Sequence, residues 1–167
     1  MRSKYLFLLN IILLPALLSP SAALAILPIQ HWQTSTGARV YFVQNRDIPM
    51  LDLSIDFAAG AGFDRLDKPG VASMTNRILQ RGAEGMTEDE IAQKTADVGA
   101  GISGRFDSDR AGLSMRTLSS RVEREQALDV FTRMLHKPLF PQEAFDREKT
   151  RDRKSTRLNS SHVALSR

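Results

Sequence analysis

The run Leu51-Asp52-Leu53-Ser54-Ile55-Asp56-Phe57 alternates apolar and polar residues without a break. Successive side chains of a strand point to opposite faces, so this spacing predicts a strand with Leu51, Leu53, Ile55 and Phe57 on one face, in a core, and the polar residues on the other. A second strand is expected just before it, over Arg39 to Gln44, a short run rich in Val and aromatics.

The order of the remaining elements follows from local signals. After a loop with Gly60, Gly62 and the turn Asp67-Lys68-Pro69-Gly70, a helix is expected from about Pro69 to Arg81, proline being tolerated in a first turn. Thr87-Glu88-Asp89-Glu90 has the form of a capping box and opens a helix to about Val98 that buries Ile91, Thr95 and Val98. Ile102 to Phe106 and Ala111 to Leu118 form a hairpin around the polar loop 107–110. Ser120-Arg121-Val122-Glu123 reads as a second capping box, before a helix whose Ala127, Leu128, Phe131, Met134 and Leu135 recur at helical spacing. Pro138 ends that helix, and Pro141 opens a last one through Phe145 toward Lys149, on which Glu143, Asp146 and Glu148 read as a solvated charged face. The order β-β-α-α-β-β-α-α predicts a two-layer α+β domain, a largely antiparallel sheet with helices on one face.

The two ends differ from this body. Arg2 and Lys4, the apolar stretch Tyr5 to Leu18 and the pattern Ala23-Leu24-Ala25 read as a secretory signal peptide over residues 1–25. The alternative is an uncleaved anchor, although the stretch is short for a span of ~20 residues. A mature protein starting at Ile26 would be periplasmic or secreted, with no stable membrane span after cleavage. Residues 152–167, rich in Ser and Arg, break the preceding helical run and are expected to be a non-native junction or a disordered tail, with the protein proper continuing beyond about Arg151.

Composition narrows the function. Of the 167 residues 42% are hydrophobic and 25% charged, ordinary for a globular domain. The 23 Lys and Arg against 19 Asp and Glu suggest a basic protein, but residues 26–151 alone hold 17 basic and 18 acidic residues. That balance gives no electrostatic reason to expect nucleic acid as a partner. The absence of cysteine excludes disulfides, thiolate metal sites and thiol nucleophiles.

Three local patterns tempt a site and are better read otherwise. Gly99-Ala100-Gly101-Ile102-Ser103-Gly104 matches G-x-G-x-x-G, but a helix precedes it and a strand follows, the reverse of a dinucleotide site. The glycines read instead as a helix stop. Glu88, Asp89 and Glu90 share one first turn, where acids are favoured by the helix dipole. His31, His136 and His162 stand far apart, with His31 expected before the first strand.

The pattern that carries a family resemblance is Gly70-Val71-Ala72-Ser73-Met74-Thr75-Asn76-Arg77 with Gly82. It is similar to the active-site helix G-x-A-H-x-x-E-H of insulinase-like and processing-peptidase-like metallopeptidases, with Ser73, Asn76 and Arg77 in the three functional places. Residues at i, i+3 and i+4 share a helix face, where two His would grip zinc and the Glu would act as general base. Neutral Ser73 is a poor zinc ligand, Asn76 has no basic lone pair, and Arg77 is permanently charged. Unit charges ~4 Å apart repel by about 4 kcal/mol at an effective dielectric of ~20, roughly double for a dication. This degenerate face is expected to bind no metal, and no catalytic residue is assigned.

The resemblance extends over about Leu27 to Arg151 and includes Lys137-Pro138-Leu139-Phe140-Pro141 with Phe145 and Arg147-Glu148-Lys149, like the family's N-P-L-F-x-x-x-x-[LF]-x-R-E-K signature. It implies one α+β domain of a clamshell several times longer, with a third zinc ligand just after the R-E-K run. It implies a catalytically silent homologue that pairs with a zinc-containing peptidase subunit and helps to enclose an extended peptide, partly by strand addition. Ser73, Asn76 and Arg77 are then candidate peptide contacts, and zinc is expected only in the catalytic partner. Two other readings stay open: an active zinc metallopeptidase with displaced ligands, and a truncated fragment without independent function.

Overall fold

In the computed structural model the backbone is described for residues 27–165 and the side chains for residues 27–154. The expected signal peptide, residues 1–25, lies outside the described residues. No helix among them is long and apolar enough to cross a membrane. The chain divides into two compact units, one ending at Asp47 and one starting at Ile48.

The first unit holds an antiparallel hairpin of β1 (Ile29–Gln33) and β2 (Arg39–Val43), registered from Ile29 opposite Val43 to Gln33 opposite Arg39. The turn is closed by the Ala38 amide on the Thr34 hydroxyl (3.0 Å) and the Gly37 amide on the Thr34 carbonyl (3.0 Å). His31 lies within β1, not before the first strand as expected, and its ring stacks on Tyr41 at 6.4 Å. Ile29 to Gln33 lacks strict alternation, so its strand character comes from pairing across the turn.

The second unit is built on a three-stranded antiparallel sheet, β3 (Met50–Phe57), β6 (Gly101–Phe106) and β7 (Ala111–Leu118), in the order β3-β7-β6. β3 runs against β7 from Met50 opposite Leu118 to Phe57 opposite Ala111, and β6 runs against β7 from Gly101 opposite Arg116 to Phe106 opposite Ala111. The predicted alternation is realised: Leu51, Leu53 and Ile55 pack against the core with Leu113 and Met115. Phe57 is the exception, 53% exposed at the strand end. The other face is a ladder of polar pairs. Arg116 forks onto Asp52 (2.6 and 3.0 Å), Arg105 meets Asp56 (3.3 Å) and Ser54 (3.0 Å), and Ser103 bonds Ser114 (2.9 Å). The Arg116 guanidinium holds the Asp52 carboxyl below its usual range.

Four helices complete the unit: α1 (Val71–Ile78), α2 (Glu88–Asp97), α3 (Arg121–His136) and α4 (Gln142–Leu165). Between α1 and α2 lies a small hairpin, β4 (Gly82–Ala83) with β5 (Met86–Thr87), which no local pattern signalled. The core joins Ile91 and Val98, on and just after α2, to Ala127, Val130, Phe131 and Met134 of α3, and to Ala83 and Met86. Fully enclosed Phe131 and Leu113 each contribute about 1.5–3 kcal/mol of burial. The architecture is the expected α+β domain.

Helix ends follow their sequence signals unevenly. Thr87 and Glu90 form the complete capping box, and the Thr87 amide and hydroxyl together hold the Glu90 carboxyl below its usual range. After α2, Gly99 (φ 59°) ends the helix: its amide bonds the Ala96 carbonyl and that of Ala100 bonds Thr95, a Schellman closure that needs a left-handed residue. At α3 the expected box is incomplete, because the Ser120 hydroxyl donates to the Glu123 carboxylate instead of accepting from the backbone. α4 continues through the segment expected to break it, and nothing from Gln142 to Leu165 is Gly or Pro.

Candidate functional site

The site is the face of α1, and three anchors set its position. The first is Asp64, which local pattern did not single out: its carboxylate accepts from the amides of Gly70 (2.7 Å) and Ala72 (2.8 Å). Free amides at a helix start need acceptors, and Gly70, the N-cap residue, has no side chain to offer. A carboxylate there also complements the helix dipole.

The second anchor is Asn76, only 6% exposed, whose Nδ2 donates to the Gly112 carbonyl of β7 (2.9 Å). Gln80 donates to the Asn76 backbone carbonyl (3.3 Å). Gly104 of β6 lies directly beneath, where any Cβ would collide with the Gln80 amide and the Asn76 Oδ1. Glycine is thus required for close approach of helix and strand.

The third anchor is a group of ion pairs with α4. Arg77 bonds Asp152 and stands 3.9 Å from Glu148. Arg81 bonds Glu148 (2.8 Å) and Glu88, and Arg147 bonds Glu88. Burial works against the Arg81 charge, but Glu88 and Glu148 outweigh it and hold its pKa above the ordinary value. Its Nε is buried without an acceptor among the described residues. Glu148 itself is 6% exposed, which corrects its reading as part of a solvated face. Its burial depends on arginines 67 and 71 residues away in sequence, out of reach of any local pattern.

The three positions singled out from sequence therefore have different surroundings. Ser73 is half-buried, Asn76 is buried and committed to the sheet, and the Arg77 side chain is 43% exposed while paired with α4. Beside Arg77 opens a polar cleft of about 400 Å³, lined by Arg77, Gln80, Arg81, Glu148, Arg151 and Asp152. Its guanidinium donors suit a carboxylate or a peptide carbonyl. Among the described residues no three His, Cys, Asp or Glu side chains converge as metal ligands.

Residues 39–165 match the family model described as insulinase, peptidase family M16. Among solved structures, the chain is similar to the crystal structure of a peptidase M16 inactive domain from Pseudomonas fluorescens, with 40% identity and a TM-score of 0.71 over 75% of this chain and 30% of that one. It is also similar in fold to the crystal structure of a protease from Helicobacter pylori, with 13% identity and a TM-score of 0.68 over 80% of this chain and 32% of that one. The chain thus spans about a third of the length of these two. No curated protein matches it.

Proposed function

Because the chain belongs to the insulinase family of peptidases, M16, we propose that it is a catalytically silent homologue, a partner and substrate-binding subunit of an extracytoplasmic zinc metallopeptidase. The observation that carries this reading is the condition of the α1 face. Hydrolysis by a metal-bound water needs neutral imidazoles or carboxylates as ligands and a basic group to take the proton. Asn76 is instead hydrogen-bonded to the sheet and Arg77 is ion-paired to α4. The likeness to a domain described as inactive supports the same reading.

In this role Ser73 and Arg77 belong to the wall of a peptide-enclosing chamber, and zinc resides in the partner. Asn76, buried against the sheet, holds that wall in place and is not itself a peptide contact. β6 is an edge of its three-stranded sheet, so a peptide strand can add there through backbone hydrogen bonds. The leader-like residues 1–25 support export to the periplasm or beyond.

The test combines metal analysis with activity. The purified chain should hold substoichiometric zinc after dialysis against zinc, cleave no peptide alone, and capture a zinc-containing homologue from the same source. Stoichiometric zinc together with chelator-sensitive cleavage by this chain alone would refute the proposal.

A further inference from the structure

The charges around the polar cleft beside α1 do not balance within residues 27–151. Arg147 bonds Glu88, Glu88 bonds Arg81, and Arg81 bonds Glu148 (2.8 Å), a chain of alternating charge in which each carboxylate has its cation. Arg77 stands outside that chain. Its one carboxylate neighbour in residues 27–151 is Glu148, at 3.9 Å and beyond hydrogen-bond reach. Arg151 lines the same cleft and adds a further cation. A cleft walled by an excess of one sign attracts the other.

Access favours the cations as well. The Arg77 side chain is 43% exposed and that of Glu148 is 8% exposed, so an entering group meets guanidinium before carboxylate. Arg77 donates its hydrogen bond to the carboxylate of Asp152. Asp152 opens the segment that reads as a junction or tail, and the site is defined without it. Its contact nonetheless displays the chemistry that Arg77 accepts from outside residues 27–151.

We propose that the cleft beside Arg77 is a subsite for a carboxylate of the bound peptide, an acidic side chain or the C-terminus, and not for a neutral carbonyl. The proposal rests on the peptide-enclosing role given above and supplies a substrate preference for it. A planar guanidinium presents paired donors that match the two oxygens of a carboxylate. A carbonyl takes up a donor and leaves the charge uncompensated.

Three N-acetylated peptides of one otherwise uncharged sequence test this by fluorescence anisotropy. The first carries a single Glu and a C-terminal amide, the second Gln and the amide, the third Gln and a free C-terminus. The full chain carrying Asp152→Asn, a change at a half-exposed side chain, presents Arg77 without its internal competitor. At ~0.05 M salt a carboxylate peptide should bind it about tenfold more tightly than the Gln amide, a ratio that shrinks at ~0.5 M. Preference for the first peptide assigns the site to a side chain, and preference for the third assigns it to the C-terminus. The unsubstituted chain should show a smaller ratio, and adding Arg77→Gln should erase it. Equal binding of all three peptides would overturn the subsite and leave the peptide-enclosing role standing, whereas binding of none would overturn both. A preference that survives Arg77→Gln would also overturn the subsite, and the comparison of peptides needs no variant at Arg77 to fold.

Discussion

The side-chain amide of Asn76 donates to the backbone carbonyl of Gly112 at 2.9 Å, a buried bond between residues 36 apart that ties α1 to the central strand. An acceptor stripped of its partner inside a protein loses about 1–3 kcal/mol. Asn76→Ala should therefore lower the melting temperature by several degrees, measured by circular dichroism, at about 2–8 °C per kcal/mol depending on domain size. Asn76→Asp should cost at least as much, because a carboxylate has no proton to donate and carries a charge into a buried position. An unchanged melting temperature for both would mean that the bond contributes nothing.

Gly104 tests the same junction from below. A methyl group there meets the Gln80 amide and the Asn76 Oδ1. Gln80 can swing aside, but Asn76 is held by Gly112, so Gly104→Ala should destabilise the chain by about 1–3 kcal/mol, as overpacking does. In combination with Asn76→Ala the cost should be less than additive, since the clash is partly relieved. Strict additivity in denaturant titrations would argue against the shared contact.

The Asp64 cap should matter through α1 alone. Asp64→Ala removes the acceptor for both the Gly70 and Ala72 amides, and loss of a helix cap costs about 1 kcal/mol. Asp64→Asn, which keeps an acceptor oxygen, should recover part of that. Thermal melts of the two variants beside the parent decide it: equal losses would show that the charge, not the hydrogen bond, is what α1 needs.

Acid should weaken the fold through carboxylates whose pKa is depressed. Glu90 is held low by the Thr87 amide and hydroxyl, Asp107 by the amides of Asp109 and Arg110, and Glu123 by the Ser120 hydroxyl. A depressed folded pKa gives stability that is complete above the unfolded value, 4.5 for Glu90, and is lost as pH falls through the folded one. The melting temperature should thus be flat near neutrality and decline below about pH 4.5. Glu90→Gln should lower the neutral plateau and make that decline shallower. A profile indifferent to Glu90→Gln would remove the capping box from the account.

What local pattern revealed, and what it did not, divides by the range of the interaction. The alternation of residues 51–57 and the Thr87-Glu90 cap were legible because their cause lies within a few residues. β1 and the β4–β5 hairpin were not, since each exists through its cross-strand partner. On α1 the positions of Ser73, Asn76 and Arg77 were legible by their spacing, but not their separate fates. Asn76 turns to the sheet because Gly104 and Gly112 leave room and an acceptor for it, and both lie on strands formed later in the chain. Glu148 has the same cause at longer range: among Arg147 and Lys149 it reads as solvent-facing, and only the return of α4 onto α1 places it between two arginines.

The pairing of β3 with β7 has one more consequence. Sliding either strand by a single residue would turn Asp52 and Asp56 toward Phe131 and Met134 and push Leu51, Leu53 and Ile55 into water. Misaligned pairings are therefore penalised at every rung, independently of what α1 carries. A helix resting on so well-specified a platform can trade one chemistry for another at Ser73 and Arg77, positions that do not reach into the sheet as Asn76 does, because the register is decided beneath it.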